Sequence, residues 1–130
     1  MRKPSGRARI LVIDDDPTIL ELIKAILKDE GHSVNAALTG EDVLADGAIP
    51  APDLLVLDMF LPGISGRELA EALRARYGQD LPILVTSASS VDREARALGA
   101  YECLPKPFEL DELLAGVRQG LSLSGRAAAS

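Results

Sequence analysis

The sequence predicts a doubly wound α/β domain in which five parallel strands carry helices on both faces. Three observations point to it. The runs "ARILVI" (8–13), "DLLVLD" (53–58) and "PILVTS" (82–87) are nearly continuous Ile, Leu and Val rather than alternating, the pattern of parallel strands covered on both sides. Strand-like and helix-like segments alternate five times, which implies right-handed crossovers. The length of 130 residues suits one domain with a real core.

Taken in order, the first strand (8–13) runs into Asp14, Asp15 and Asp16. Asp16 is placed to N-cap a helix that opens on Pro17, carries Ile19, Leu22, Ile23, Ile26 and Leu27 as one stripe, and stops at Gly31. "SVNAA" (33–37) is the second strand, and a weaker helix spans 40–46. The third strand ends on Asp58. The helix after it has Ser65 and Glu68 in capping-box spacing, with Leu69, Leu73 and Tyr77 facing inward. Glu68, Glu71, Arg74 and Arg76 read as its solvated face. The fourth strand (82–87) leads to a helix of about two turns over 91–98. A short fifth strand, "YECL" (101–104), precedes a helix with Leu110, Leu113, Leu114, Val117 and Leu121 on one side and Gly116 as a weak point. Residues 1–8 are expected to be a flexible N-terminal segment, and 122–130, small and polar, a frayed tail or linker stub.

Composition narrows the function classes. With 47% hydrophobic and 26% charged residues the chain has the make-up of an ordinary soluble protein, and no apolar run approaches the roughly 20 residues of a membrane span. The apolar run after the basic N-terminus is too short for a signal peptide. A net charge of −6 opposes direct nucleic-acid binding and favours protein partners. The one cysteine, Cys103, has no internal disulfide partner, in keeping with a reducing, cytoplasmic setting. The one histidine, His32, follows a helix-stopping glycine and reads as a surface residue.

In a doubly wound fold the carboxyl ends of the strands meet at the ligand crevice. Here those ends supply Asp14 and Asp15, Asp58, Ser87 and, just past the fifth strand, Lys106. Three converging carboxylates need protonation or a cation among them. Hard oxygen ligands with no Cys/His cluster favour Mg2+. Such a site suits phosphoryl transfer: Asp58 as nucleophile, Lys106 as the cation on the phosphoryl oxygens, Ser87 as the hydroxyl.

The pieces "ILVIDDDP", "LLVLDMFLPGISG", "PILVTSAS" and "LPKPF" occur in the order of a known family. Over residues 9–121 the chain resembles the receiver domain of two-component response regulators, a CheY-like, flavodoxin-like (βα)5 fold. The resemblance implies that Asp58 accepts a phosphoryl group from a sensor histidine kinase or histidine phosphotransfer protein. The domain then signals to a downstream protein or output domain, as a monomer or a phosphorylation-linked dimer. It also implies that Asp14, Asp15 and Asp58, with the backbone carbonyl of Phe60, hold Mg2+. Asp16 falls outside the metal site, and Lys106-Pro107 is expected to be cis. The family's switch hydroxyl lies five positions after the strand-opening proline and before an alanine, which selects Ser87 over Thr86.

Departures from the family concern signalling. The usual aromatic residue three positions before the lysine is Cys103, and Tyr101, two positions away, falls on the same face by strand alternation. The span from Ser87 to Lys106 is a few residues short, so the fourth helix is reduced and a nonstandard output surface is expected. Phe60 and Ser89, where a polar group could assist water, predict a long-lived acyl phosphate. Two other readings remain. Asp14, Asp16 and Thr18 fit the Asp-x-Asp-x-Thr opening of haloacid-dehalogenase-like phosphatases, with Asp14 as nucleophile. Those enzymes are larger and place a further acidic pair after the lysine strand, whereas Glu109, Asp111 and Glu112 lie on a helix here. The third reading is a receiver that binds partners constitutively, without phosphoswitching.

Overall fold

The computed structural model describes residues 7–90 and 92–124. Its elements are β1 (Arg9–Ile13), α1 (Pro17–Asp29), β2 (Ser33–Ala37), α2 (Gly40–Ala45), β3 (Leu54–Asp58), α3 (Gly66–Tyr77), β4 (Ile83–Ser87), α4 (Asp92–Ala97), β5 (Glu102–Pro105) and α5 (Leu110–Leu123). The strands form one parallel sheet in the order β2-β1-β3-β4-β5. The doubly wound architecture expected from the sequence is therefore present.

Strand alternation explains the continuous apolar runs. Leu11, Ile13, Leu55, Leu57, Ile83 and Val85 point to one side and pack with Val43, Leu69, Leu73 and Leu98 from α2, α3 and the end of α4. Ile10, Val12, Leu54, Val56, Leu84 and Leu104 point to the other and pack with Leu20, Ile23, Leu27, Leu113 and Val117 from α1 and α5. Successive residues thus serve opposite cores, which is why the middle of each of these strands is apolar. The strand order reverses between β1 and β3, and that is where the crevice opens.

The helix ends follow local chemistry. Asp16 Oδ1 accepts the N–H groups of Thr18 (2.9 Å) and Ile19 (3.3 Å), and Pro17 occupies the first turn. Ser65 caps α3 through Glu68 N–H at 3.1 Å. The buried stripe of α1 is Leu20, Ile23 and Leu27, with Ile19 and Ile26 partly covered. Leu22 is instead 52% exposed: two positions from Leu20 is a rotation of about 200°, the far side of the helix.

Several expectations are corrected. Arg74 and Arg76 are more than solvated charges: Arg76 is exposed and Arg74 half-buried, but both guanidiniums are hydrogen-bonded to backbone carbonyls. Arg76 donates to the carbonyls of Val43 (3.1 Å) and Leu44 (2.8 Å) at the end of α2. Arg74 donates to the carbonyls of Leu81, Leu98 and Gly99, tying α3 to the start of β4 and the end of α4. Both add donors to backbone carbonyls near the ends of α2 and α4 and just ahead of β4. His32 is half-buried, and its Nδ1 accepts the N–H of the buried Ala8 at 3.1 Å. Residues 1–6, Val91 and 125–130 lie outside the described residues, and with them most of the N-terminal segment and tail.

On α5 the buried face is Leu113, Gly116, Val117, Gly120 and Leu121, while Leu110 is exposed. Its glycines are contact points rather than weak points. A Cβ on Gly116 would lie 3.3 Å from Leu84 Cδ2, and one on Gly120 would strike the Tyr101 hydroxyl and lie 2.7 Å from Leu54 Cδ1. Gly120→Ala is therefore expected to lower stability by about 1–3 kcal/mol in urea unfolding, the cost of overpacking. Gly47→Ala, with nothing within 4 Å of the new methyl, is expected to change it by no more than about 0.5 kcal/mol.

Candidate functional site

The acids of the site begin where the strands leave the core. Asp14 follows β1 while its N–H still reaches the Ala37 carbonyl of β2 at 3.2 Å, so the residue is held in line with the sheet. Its side chain is 1% exposed. Oδ1 accepts Asp16 N–H at 2.9 Å and Oδ2 accepts Lys106 Nζ at 2.9 Å. Asp15 is exposed beside it. Asp58 is the buried last residue of β3; its Oδ1 accepts the Phe60 N–H at 3.3 Å and lies 3.6 Å from Lys106 Nζ. Asp14, Asp15 and Asp58 each bring a carboxylate oxygen within 4.8 Å of the others.

Lys106 reaches the cluster from beyond β5. Its N–H donates to the Ser87 carbonyl at 2.7 Å, which fixes the chain there, and the Lys106-Pro107 bond is cis as expected. Ser87 is buried at the end of β4, but its hydroxyl is engaged elsewhere: Oγ donates to the Ser89 carbonyl at 2.8 Å and accepts the Ser89 N–H at 3.1 Å. The sheet register pairs Asp58 with Thr86 rather than Ser87. Simple alternation therefore puts Thr86 on the side of Asp58, whereas Ser87 is favoured by its place at the strand end, beside Lys106, and by its position in the family motif.

The electrostatics are those of a cluster short of positive charge. Burial and the Asp14 carboxylate push Asp58 above its ordinary value, against the pull of Lys106 and the Phe60 N–H. Burial alone would lower Lys106, but the Asp14 hydrogen bond and the charges of Asp14 and Asp58 outweigh it and hold the ammonium above its ordinary value. One ammonium faces three carboxylates, and the donor set is oxygen only. Such a set fits a hard divalent cation.

Asp16 does not join the cluster. Its carboxylate is spent on the first turn of α1, so the Asp-x-Asp-x-Thr phosphatase reading loses its second acid. Phe60 meets Asp58 through its backbone N–H, and the residue is 55% exposed. Cys103 and Tyr101 do not share a face: Cys103 packs with the α2–α4 side of the sheet and Tyr101 with the α1/α5 side. The strand begins at Glu102, so strand alternation does not extend back to Tyr101, whose hydroxyl donates to the Gly116 carbonyl at 2.6 Å.

Two stability measurements check these charges. Asp58 binds its proton more tightly folded than unfolded, so its ionisation costs stability as pH rises past the ordinary value of about 3.9. Asp58→Asn is expected to unfold at higher urea than wild type at pH 7, with the advantage gone below that value. Lys106→Met leaves buried Asp14 without its ammonium and is expected to cost about 1–3 kcal/mol at pH 7.

Comparisons with known proteins agree with this geometry. The family model for the response regulator receiver domain matches residues 10–118. The response regulator MprA of Mycobacterium avium is 45% identical over 113 residues, covering 85% of this chain and 49% of that protein, so the chain spans about half the length of the curated relatives it matches. Among solved structures, TrrA from Thermotoga maritima in complex with Mg2+ and beryllofluoride has 39% identity and a TM-score of 0.74 over 87% of this chain and 98% of that one. NtrX from Brucella abortus in complex with ATP has 33% identity and a TM-score of 0.81 over 90% of this chain and 27% of that one. The chemotaxis protein CheY4 of Vibrio cholerae has 28% identity and a TM-score of 0.81 over 88% and 99%. The chain belongs to the response regulator receiver domain family, whose members are phosphorylated signalling domains rather than conventional enzymes.

Proposed function

We propose that Asp58 is the phosphoacceptor of this receiver and that Mg2+ is its cation. The convergence of Asp14, Asp15 and Asp58 on the Lys106 ammonium carries the reading. An Asp58 carboxylate oxygen forms a bond to phosphorus as the phosphorus–nitrogen bond of a phosphohistidine breaks. Attack through Oδ2 leaves Oδ1 with the Phe60 N–H, so the carboxylate stays oriented through the transfer. Lys106, already 3.6 Å from Asp58, neutralises an oxygen of the incoming group. Mg2+, held by Asp14, Asp15, Asp58 and the Phe60 carbonyl, would supply the remaining positive charge. The donor is a sensor histidine kinase or histidine phosphotransfer protein in the cytoplasm. The recipient of the signal is a downstream protein or output domain, with the receiver a monomer or a phosphorylation-linked dimer. The net charge of −6 argues against direct nucleic-acid binding. Among the described residues no helix is long and apolar enough to cross a membrane.

We assign the switch to Ser87. To reach a phosphoryl oxygen its hydroxyl must give up both bonds to Ser89, which loosens the segment that leads to α4. An α4 of six residues, Cys103 at the usual aromatic position and a Tyr101 held on α5 favour an output surface unlike the family's usual one.

Incubation with acetyl phosphate and Mg2+, followed by intact mass, tests the proposal. One phosphoryl adduct is expected on wild type and none on Asp58→Ala; equal labelling of both would refute the assignment. Ser87→Ala is expected to be phosphorylated yet to lose the accompanying change in amide exchange around residues 87–97, whereas Thr86→Val keeps it. The reverse pattern would move the switch to Thr86. Phe60→Asn is expected to shorten the phosphoryl lifetime, since an amide there can orient the attacking water; an unchanged or longer lifetime would contradict that.

A further inference from the structure

The segment 59–65 between β3 and α3 carries Phe60, and its two ends are well anchored: Met59 N–H donates to the Thr86 carbonyl at 2.9 Å, and Ser65 caps α3. Its middle is gripped from an element outside the site. Ile64 N–H donates to Glu41 Oε2 at 2.8 Å, across 23 residues of sequence. The Glu41 carboxylate lies under Gly63, whose φ of +87° already favours glycine and where a Cβ would strike Glu41 Oε2 and come within 3.0 Å of Glu41 Cδ. One residue earlier, a Cβ on Gly40 would lie 2.7 Å from Ile64 Cγ2 and 2.8 Å from Leu69 Cδ2. The first turn of α2 therefore bears on this segment twice, through the Glu41 carboxylate and through the bare Cα of Gly40.

We propose that Glu41 is a positioning residue for the acceptor site: by holding Ile64 it fixes the arm that sets the Phe60 backbone against Asp58. The inference rests on the reading of Asp58 as acceptor for its functional consequence, but not for its structural one. Nothing in the chemistry of phosphoryl transfer requires an acid at position 41. What is required is an acceptor for the Ile64 N–H, and a glutamine amide oxygen serves as well as a carboxylate oxygen. Because the Phe60 N–H to Asp58 bond is long at 3.3 Å, small movements of the arm suffice to break it.

The test compares wild type, Glu41→Ala and Glu41→Gln by amide hydrogen exchange without metal and by calorimetric Mg2+ titration. In Glu41→Ala, exchange at Ile64 and at Phe60 is expected to accelerate and the Mg2+ dissociation constant to rise by about fivefold, the factor of a ~1 kcal/mol hydrogen bond. Phosphorylation by acetyl phosphate is expected to slow at limiting Mg2+ and recover at saturation. Glu41→Gln is expected to restore all three. Faster exchange confined to Ile64, with Phe60 and Mg2+ affinity unchanged, would overturn the proposal by making Glu41 a loop cap only. A glutamine variant that fails as the alanine variant does would overturn it equally, by showing that charge rather than the hydrogen bond matters. Wild-type protein that gains no phosphoryl group would refute the acceptor reading instead, and Phe60 exchange in the metal-free proteins would still decide the role of Glu41.

Discussion

One ammonium set against three carboxylates is the constraint around which this domain is arranged. Lys106 touches Asp14 at 2.9 Å and lies 3.6 Å from Asp58, and Asp15 stands beside them. Burial makes the pairing between the first two strong and the residual negative charge costly. An amide in place of buried Asp58 would lower that cost while leaving the Asp14–Lys106 pair intact. The presence of such a cluster at the carboxyl edge of the sheet is what a cation-binding site needs.

The sheet is the device that brings these groups together. The interiors of β1, β3 and β4 are apolar because successive side chains feed two cores, and the acids and hydroxyls of the site appear at or just past their carboxyl ends. The backbone then holds the site: Asp14 through Ala37, Met59 through Thr86, and Lys106 through Ser87. The cluster of acids and lysine thus inherits the rigidity of the sheet, while the segment around Ser87 and Ser89 is held by two hydrogen bonds to a single hydroxyl.

The sequence was most legible where one residue's neighbours decide its role. Asp16 and Pro17 start α1 by local geometry, and the apolar runs identify the strands because burial on both faces leaves no choice. Legibility failed where the partner is remote or the phase is set by packing. Leu22 lies in the helical pattern of α1, yet the sheet meets α1 through Leu20 and Ile23. Arg74 and Arg76 look like a solvated pair, but their acceptors are carbonyls 24 and 33 residues away. Tyr101 changes face because β5 starts one residue later than its apolar pattern suggests. Gly116 reads as a helix weakener, and only the approach of Leu84 to it, and of Tyr101 to Gly120, shows that these glycines admit neighbours. The site acids were readable because a doubly wound fold collects strand ends; the direction of the Ser87 hydroxyl was not, because it depends on a turn of two residues.

Mg2+ titration of Lys106→Met and Asp14→Asn beside wild type tests the charge balance most directly. If Lys106 is the stand-in cation for a cluster built to hold a second one, removing it leaves more negative charge for Mg2+ and tightens binding, while Asp14→Asn weakens it. Unchanged or weaker Mg2+ binding by Lys106→Met would contradict the account, because the three carboxylates would then not be competing for positive charge.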